Sequence, residues 1–289
     1  MDERAALAVV GDLVDAAGDD AAIVEGLVVT TDMLHERTDF PAGTTRYTAG
    51  WRAVGASLSD VAAMGADATA AVAVYGAPEF DETELSAFLE GCTDVSAAVD
   101  ATYVGGDLDG HAEFTVATTA VGAADDPIRR SGAEPGDAVC VTGTFGRSGA
   151  AVRLFERGDH ERANDLFRFD PRVPAGRAVA PWASAMMDSS DGLARSLHQL
   201  AAASECGFAV DGDALPVDPA VDAVATGTDE RQELGVHFGE DFELVFTVPV
   251  EAVAAAREES PIEVTRIGRV TDDGVRMDGD PLSDRGFTH

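Results

Sequence analysis

The balance of charge is the strongest constraint on this chain of 289 residues. It carries 53 acidic side chains against 20 basic ones, which leaves a formal net charge of −33. All of the basic residues are arginines, because the sequence contains no lysine. The fold must therefore place most of its carboxylates on a hydrated surface, and we expect a salt-rich cytoplasm to screen their mutual repulsion.

This charge disfavours several classes of partner and mechanism. A strongly negative field repels nucleic-acid backbones and anionic membrane surfaces, so we expect neither as a partner. No apolar run approaches the roughly 20 residues of a membrane span, and the sequence begins without the features of a signal peptide, which predicts a cytoplasmic protein. The absence of lysine excludes a P-loop, and no nucleophile-elbow motif occurs.

Strand-like and helix-like segments alternate along the chain and predict a mixed α+β fold. The β-branched residues 27–31 indicate a buried strand, and residues 52–66 have the small and apolar spacing of a closely packed helix. A polar, turn-rich stretch at residues 124–137 is the best candidate for a linker. We therefore predict an N-terminal domain over residues 1–125 and a C-terminal domain over residues 126–289.

Acidic residues repeatedly stand where an apolar strand ends or a helix begins. The residues in such positions are Asp20, Asp32, Asp60, Asp107, Asp188, Asp191, Glu240 and Asp241. A single aspartate at a helix start is commonly only a cap. Carboxylates that converge need a cation, because like charges at short range cannot all stay ionised. Oxygen ligands without a histidine or cysteine cluster favour Mg²⁺ over zinc.

Taken in order, these motifs resemble the thiamine-monophosphate kinase family, within the superfamily of aminoimidazole ribonucleotide synthetase. The resemblance covers most of the chain and is carried by GDDAAI at 18–23, TTDML at 30–34, SLSDVAAMGA at 57–66, GGD at 105–107, RSGAEPGD at 130–137, VTGTFG at 141–146, MDSSDGL at 187–193, GEDFEL at 239–244 and the closing RGFTH at 285–289.

The resemblance implies a fold and an activity. The fold is a two-domain aminoimidazole ribonucleotide synthetase-like α+β fold, whose N-terminal α/β domain forms a dimeric sheet or barrel, with ATP in the cleft between the domains. The activity is ATP-dependent phosphorylation of thiamine phosphate to thiamine diphosphate by a homodimer. Several Mg²⁺ ions and in-line positioning would carry the transfer without a catalytic side chain, because the attacking phosphate oxygen is already ionised.

The family's functional positions can be carried over one residue at a time. The magnesium positions fall on Asp20, Thr30, Thr31, Asp32, Asp60, Asp107, Asp188 and Asp191. The ATP positions fall on Gly106, Asp107, Arg130 and Ser190. The substrate positions fall on Asp39, Glu240 and Phe287.

One of these positions departs from the family pattern. The family's Asn-His-Phe reads Thr38-Asp39-Phe40 here, so an acid replaces the substrate-facing histidine. Asp39 would accept a hydrogen bond from the aminopyrimidine or face the thiazolium cation.

Two alternatives remain open at this level. One is a superfamily relative with a different phosphate acceptor, such as an aminoimidazole ribonucleotide synthetase-like enzyme. The other is a protein that kept the fold and binds nucleotide or Mg²⁺ without catalysis.

Overall fold

The computed structural model describes residues 9–11, 13, 14 and 17–287. Thr288 and His289, the last residues of the closing motif, lie outside the described residues. The strands are β1 (Ala22–Val24), β2 (Leu27–His35), β3 (Asp67–Ala77), β4 (Thr102–Gly110), β5 (Thr115–Ala123), β6 (Ala138–Thr142), β7 (Ala185–Asp188), β8 (Gly207–Val210), β9 (Leu244–Val248), β10 (Val264–Thr271), β11 (Val275–Met277) and β12 (Asp280–Pro281).

Helices connect and cover these strands. The α-helices are α1 (Glu36–Asp39), α2 (Arg46–Ala63), α3 (Glu82–Ala97), α4 (Arg147–Glu156), α5 (His160–Phe167), α6 (Val173–Val179), α7 (Leu193–Ser204), α8 (Pro219–Val224), α9 (Thr228–Gln232) and α10 (Val253–Glu259). A single π-helical turn spans Glu233–His237 and precedes the loop that leads into β9.

The first sheet has five strands in the order β1-β2-β5-β3-β4. Strand β2 is rich in β-branched residues and pairs with β5 over its whole length, from Leu27 opposite Ala123 to His35 opposite Thr115. Strands β3 and β4 run parallel, and the other neighbours are antiparallel. Strand β4 therefore forms an edge of the sheet, and most of its residues are exposed.

Helix α2 lies at the centre of the molecule and most of its residues are buried. It begins after Thr45, whose side chain accepts a hydrogen bond from the backbone N–H of Thr48. Close packing on α3 depends on glycine, because a Cβ atom on Gly50 would lie 2.2 Å from the carbonyl oxygen of Phe88. Helix α2 also packs on α6 through glycine, because a Cβ atom on Gly176 would lie 2.2 Å from the carbonyl oxygen of Ala62.

The second sheet has seven strands in the order β12-β11-β8-β10-β6-β9-β7. Its central strands β6 and β9 are buried along their whole length, as apolar strands covered on both faces are. A single apolar cluster joins residues of both sheets, from Val28 and Leu58 to Phe246 and Val264. The division of the chain near residue 125 therefore stays a prediction.

No helix within the described ranges is both long enough and apolar enough to cross a membrane.

Candidate active site

Three aspartates from distant parts of the sequence converge at one point. Asp20 precedes β1, Asp60 lies in the last turn of α2, and Asp188 is the final residue of β7. Each offers one carboxylate oxygen, and these oxygens lie within 4.8 Å of one another. All three are among the predicted magnesium residues, and the fold brings them together.

Neighbouring hydroxyl and backbone groups orient these carboxylates. Thr30 Oγ1 donates to Asp60 Oδ2 at 2.5 Å, and Ser59 Oγ donates to Asp188 Oδ2 at 2.6 Å. The backbone N–H of Ser190 donates to Asp188 Oδ1 at 3.3 Å. The rotamers of Asp60 and Asp188 are therefore held in place by the protein itself.

Burial and mutual repulsion make this cluster electrostatically unfavourable without a cation. Burial raises the pKa of Asp60 well above its ordinary range, and the charges of Asp188, Asp20 and Asp32 raise it further. Burial, followed by the charge of Asp20, raises the pKa of Asp188 to about 7. A bound cation would favour the ionised form of each group.

Arg130 offsets one of the three charges. Its Nε and Nη2 atoms donate to the two carboxylate oxygens of Asp20 at 3.1 and 3.0 Å. Burial lowers the pKa of Arg130, but the attraction of Asp20 outweighs it and leaves that pKa raised. The predicted ATP-contacting arginine therefore lies at the aspartate cluster and pairs with one of its members.

A cavity of about 180 Å³ opens beside the cluster. Its walls are Asp20, Thr30, Thr31, Asp32, Leu34, Asp60, Ser190, Asp191, Glu240 and Phe242. Predicted metal, nucleotide and acceptor residues thus line one space. They come from the segment before β1, from β2 and α2, and from the loops after β7 and before β9.

Asp107 lies apart from this cavity. It is on the edge strand β4, in register with Val74 of β3, Ala117 of β5 and Met33 of β2. Three strand spacings separate β4 from β2, which amounts to roughly 14 Å. An aspartate side chain cannot cover that distance, so Asp107 cannot share an ion with Asp32 of β2, and it belongs neither to the group of Asp20, Asp60 and Asp188 nor to the walls of the cavity.

Gly106 is held against the neighbouring strand. A Cβ atom there would lie 1.6 Å from the carbonyl oxygen of Ala73, so only glycine fits this parallel pairing. Gly106 and Asp107 line a separate groove of about 360 Å³. The other walls of this groove are Ala73, Tyr75, Leu85, Phe88, Leu89, Tyr103, Gly105 and Leu108.

Two predicted acceptor residues do not line the 180 Å³ cavity. Asp39 is buried, and its Oδ2 atom accepts hydrogen bonds from the backbone N–H of His35 and from Thr38 Oγ1, both at 2.7 Å. Phe287 lies 6.2 Å from Phe238, measured between ring centroids, and its N–H donates to the carbonyl oxygen of Asp191.

Three residues of this region have no place among the sequence-based predictions. Ser59 binds Asp188, Phe242 lines the cavity, and Arg52 pairs with Glu240. Ser59 and Phe242 lie inside quoted motifs. Arg52 had a signal of its own, because it is the one charged residue in the apolar and small-residue run from 47 to 59.

Two family models match the chain. The model described as AIR synthase related protein, N-terminal domain, matches residues 18–124. The model described as AIR synthase related protein, C-terminal domain, matches residues 134–279. The chain is thus an AIR synthase related protein, and the predicted two-domain α+β fold class is confirmed.

Relatives narrow this class. A thiamine-monophosphate kinase of Halobacterium salinarum is 65% identical over 100% of both chains. Another, of Methanospirillum hungatei, is 39% identical over 100% of this chain and 99% of that one. The structure "AaThiL complexed with AMPPCP and TMP" gives a TM-score of 0.90 at 26% identity and covers 100% of this chain and 97% of that one.

The chain belongs to the thiamine-monophosphate kinase family of enzymes, which confirms the predicted family and the predicted kinase class.

Proposed function

We propose that this chain transfers the γ-phosphoryl group of ATP to thiamine phosphate and so forms thiamine diphosphate in the 180 Å³ cavity. The observation that carries the proposal is the convergence of Asp20, Asp60 and Asp188 beside a cavity that Glu240 also lines. The family membership supports it, as does the similarity to a structure that holds an ATP analogue together with TMP.

The donor set of the cluster fits Mg²⁺. Asp20, Asp60 and Asp188 offer oxygen atoms only, their mutual repulsion favours a cation, and Thr31 and Asp32 add oxygens to the same walls. We propose that these residues, with Thr30 and Asp191, hold the ions. When bound, Mg²⁺ would neutralise the charge that two phosphorylated reactants bring into an acidic protein.

The residues of the cavity support a direct transfer rather than a phosphorylated enzyme. The described walls carry hydroxyls and carboxylates but no histidine, cysteine or arginine. A terminal phosphate of the acceptor is ionised near neutral pH and needs no general base. The role of the protein is then to position the two reactants in line.

The stereochemistry at phosphorus tests this mechanism. With ATP made chiral at the γ-phosphorus, a single displacement inverts the configuration. Retention of configuration, or a trapped acyl-phosphate on an aspartate, would demonstrate a double displacement instead.

We further propose that Gly106 and Asp107 act at the cavity of a second copy in a homodimer. Asp107 lies three strands from the cavity residue Asp32, yet its own strand is an exposed edge on which Val104 and Leu108 are 62% and 51% exposed. Pairing of two such edges would bury these apolar side chains and would place Asp107 against the second copy.

Mixed dimers test this assignment. Asp60→Asn and Asp107→Asn are each expected to be inactive alone. If Asp107 acts across the interface, one of the two sites in each mixed dimer is intact, and random association restores about one quarter of wild-type activity. If Asp107 acts within its own chain, every site carries a defect and the mixture stays inactive.

Product analysis tests the function itself. The enzyme is incubated at high salt with ATP, Mg²⁺ and a panel of acceptors that includes thiamine phosphate and phosphorylated precursors of other pathways. We expect thiamine diphosphate and ADP in equal amounts. Turnover of a different acceptor alone would replace the proposed substrate, and binding of ATP without turnover of any acceptor would make this a binding protein.

A further inference from the structure

Glu240 occupies a loop with an unusual backbone. It lines the cavity, yet its φ angle is +62°, and the nearby Phe242 has a φ angle of +54°. Both lie in the left-handed region, which residues other than glycine rarely adopt and which costs energy unless the surroundings impose it. Contacts from other parts of the fold must therefore hold this loop.

A buried arginine supplies several of these contacts. Arg52 of α2 is only 2% exposed, and its Nη2 atom donates to Glu240 Oε2 at 2.6 Å. Its Nη1 atom donates to the carbonyl oxygen of Phe167 at 2.5 Å and to Ser148 Oγ at 3.2 Å. The guanidinium carbon also lies 3.6 Å from the centre of the Phe167 ring.

The first turn of α4 holds the same loop from its other side. Ser148 Oγ donates to the carbonyl oxygen of Glu240 at 2.6 Å. The backbone N–H groups of Gly146 and Ser148 donate to the carboxylate of Asp241 at 2.6 and 3.0 Å. Arg52, Ser148 and the loop therefore form one connected network that ends at the Glu240 carboxylate.

Burial of this arginine has an energetic consequence. Burial lowers the pKa of Arg52, and the charge and hydrogen bond of Glu240 oppose that effect. A desolvated ion pair adds little stability compared with apolar residues of similar size, although breaking it leaves an uncompensated charge. Stability alone therefore does not explain why the protein buries this ion pair. Glu240 lines the cavity, so the pair fixes a carboxylate at the site.

We propose that Arg52 is a positioning residue for the phosphate acceptor. This inference rests on the proposed function, in which the cavity that Glu240 lines receives thiamine phosphate. Arg52 does not line the cavity in the described structure and acts through Glu240. Its planar fork holds one carboxylate oxygen in a fixed direction, which a flexible and compact ammonium group would do less well.

The same loop offers a matched control. Arg172 pairs with Glu243 through Nε at 2.7 Å, and Glu243 is buried as Glu240 is. Glu243 does not belong to the walls of the cavity. Arg172→Gln therefore breaks a comparable buried ion pair three residues further along the loop, and we expect it to lower stability while leaving the KM for thiamine phosphate unchanged.

Steady-state kinetics of Arg52→Gln, Arg52→Lys and Arg172→Gln test the proposal. We expect Arg52→Gln to raise the KM for thiamine phosphate by on the order of tenfold or more, with the KM for ATP within about twofold of wild type. Arg52→Lys keeps the charge, and its acceptor KM should fall between those of the wild type and the glutamine variant. Thermal melts show whether each variant is folded.

Three results would overturn the assignment. In Arg52→Gln, they are an equal rise of the KM values for ATP and thiamine phosphate, or a loss confined to kcat. The third is a rise of the KM for thiamine phosphate in Arg172→Gln as large as that in Arg52→Gln. If Arg52→Gln does not fold, Arg52→Lys decides alone, and a wild-type acceptor KM in that variant rejects the positioning role. A wild-type enzyme that does not use thiamine phosphate would instead refute the proposed function, so the two failures are distinguishable.

Discussion

Two groups of carboxylates meet at the 180 Å³ cavity, and the protein treats them differently. Glu240, which lines the cavity, and the adjacent Asp241 are matched by the guanidinium of Arg52 and by the backbone N–H groups of Gly146 and Ser148. In the other group, carboxylate oxygens of Asp20, Asp60 and Asp188 lie within 4.8 Å of one another, and Arg130 binds Asp20 among them.

This difference separates positioning from ligand binding. A fold can satisfy a buried acid with an arginine or with backbone donors, as it does at Glu240, and the acid then keeps a fixed orientation. Burial raises the pKa of Asp241 to about 7 as well, but the N–H groups of Gly146 and Ser148 oppose that rise. Where several acids instead repel one another at short range, as in the cluster, the missing positive charge is expected from outside the chain. The following predictions test this contrast, beginning with the largest effect.

Substitution of one acid in the uncompensated group should remove most activity. We expect Asp60→Asn to lower kcat/KM at saturating Mg²⁺ by at least about 100-fold, because the cluster loses a ligand while its fold is preserved. Chelation of divalent ions should abolish turnover in the wild type. Steady-state assays measure both effects, with the exposed Asp126→Asn as the control. Wild-type turnover in folded Asp60→Asn would remove this residue from the site.

Salt should stabilise the folded protein mainly by screening the repulsion between exposed charges, and far less through the buried ones. The 33 excess negative charges repel one another at low ionic strength, whereas at 0.1 M salt exposed charges more than about 10 Å apart are largely screened from one another. Thermal melts from low to molar KCl should therefore show a midpoint that rises by several degrees or more, in the wild type and Asp60→Asn alike. A flat profile would refute the prediction of salt adaptation and leave the kinase assignment intact.

The pH dependence of stability should report the aspartate cluster. The pKa of Asp188 is raised to about 7 in the folded state, above its ordinary value near 4. The folded protein therefore binds the proton more tightly, and stability should rise as pH falls from about 7 towards 4, by up to about 4 kcal/mol.

Melts from pH 8 to pH 5 with a chelator, compared with Asp188→Asn, measure this contribution. The variant should show a shallower rise, because it lacks the titrating carboxyl. Mg²⁺ should also flatten the wild-type profile, since a cation favours the ionised form. Identical slopes in wild type and Asp188→Asn would contradict the prediction.

The smallest effect concerns a hydroxyl that orients the cluster. Ser59 Oγ donates to Asp188 Oδ2 at 2.6 Å, and this bond favours the ionised carboxylate. We expect Ser59→Ala to weaken Mg²⁺ binding about tenfold, as loss of an outer hydrogen bond to a ligand does. Calorimetric titration with Mg²⁺ measures it, and Ser59→Thr, which keeps a hydroxyl, provides the comparison. Unchanged affinity in Ser59→Ala would show that the serine only packs.

The local residue pattern predicted that these strands and helices exist, but not where each of them ends. The strand predicted at residues 27–31 starts where β2 starts, at Leu27. Strand β2 extends beyond the predicted residue 31 to His35, because β5 pairs with it along the whole length. Helix α2 begins at Arg46 rather than at residue 52, because Thr45 caps it ahead of the apolar run.

The sequence by itself determined the family and supplied the acids that form the cluster. Acids at the ends of strands, the paired glycines before Asp107 and the order of the motifs are local features that stand in the sequence itself. Only the tertiary structure decided which of these residues meet. Arg52 binds an acid 188 positions away, and Asp107 lies three strands from Asp32, with which it was grouped as a metal ligand. Such pairings depend on how helices and sheets pack, and a motif carries no information about the side chains that packing brings against it.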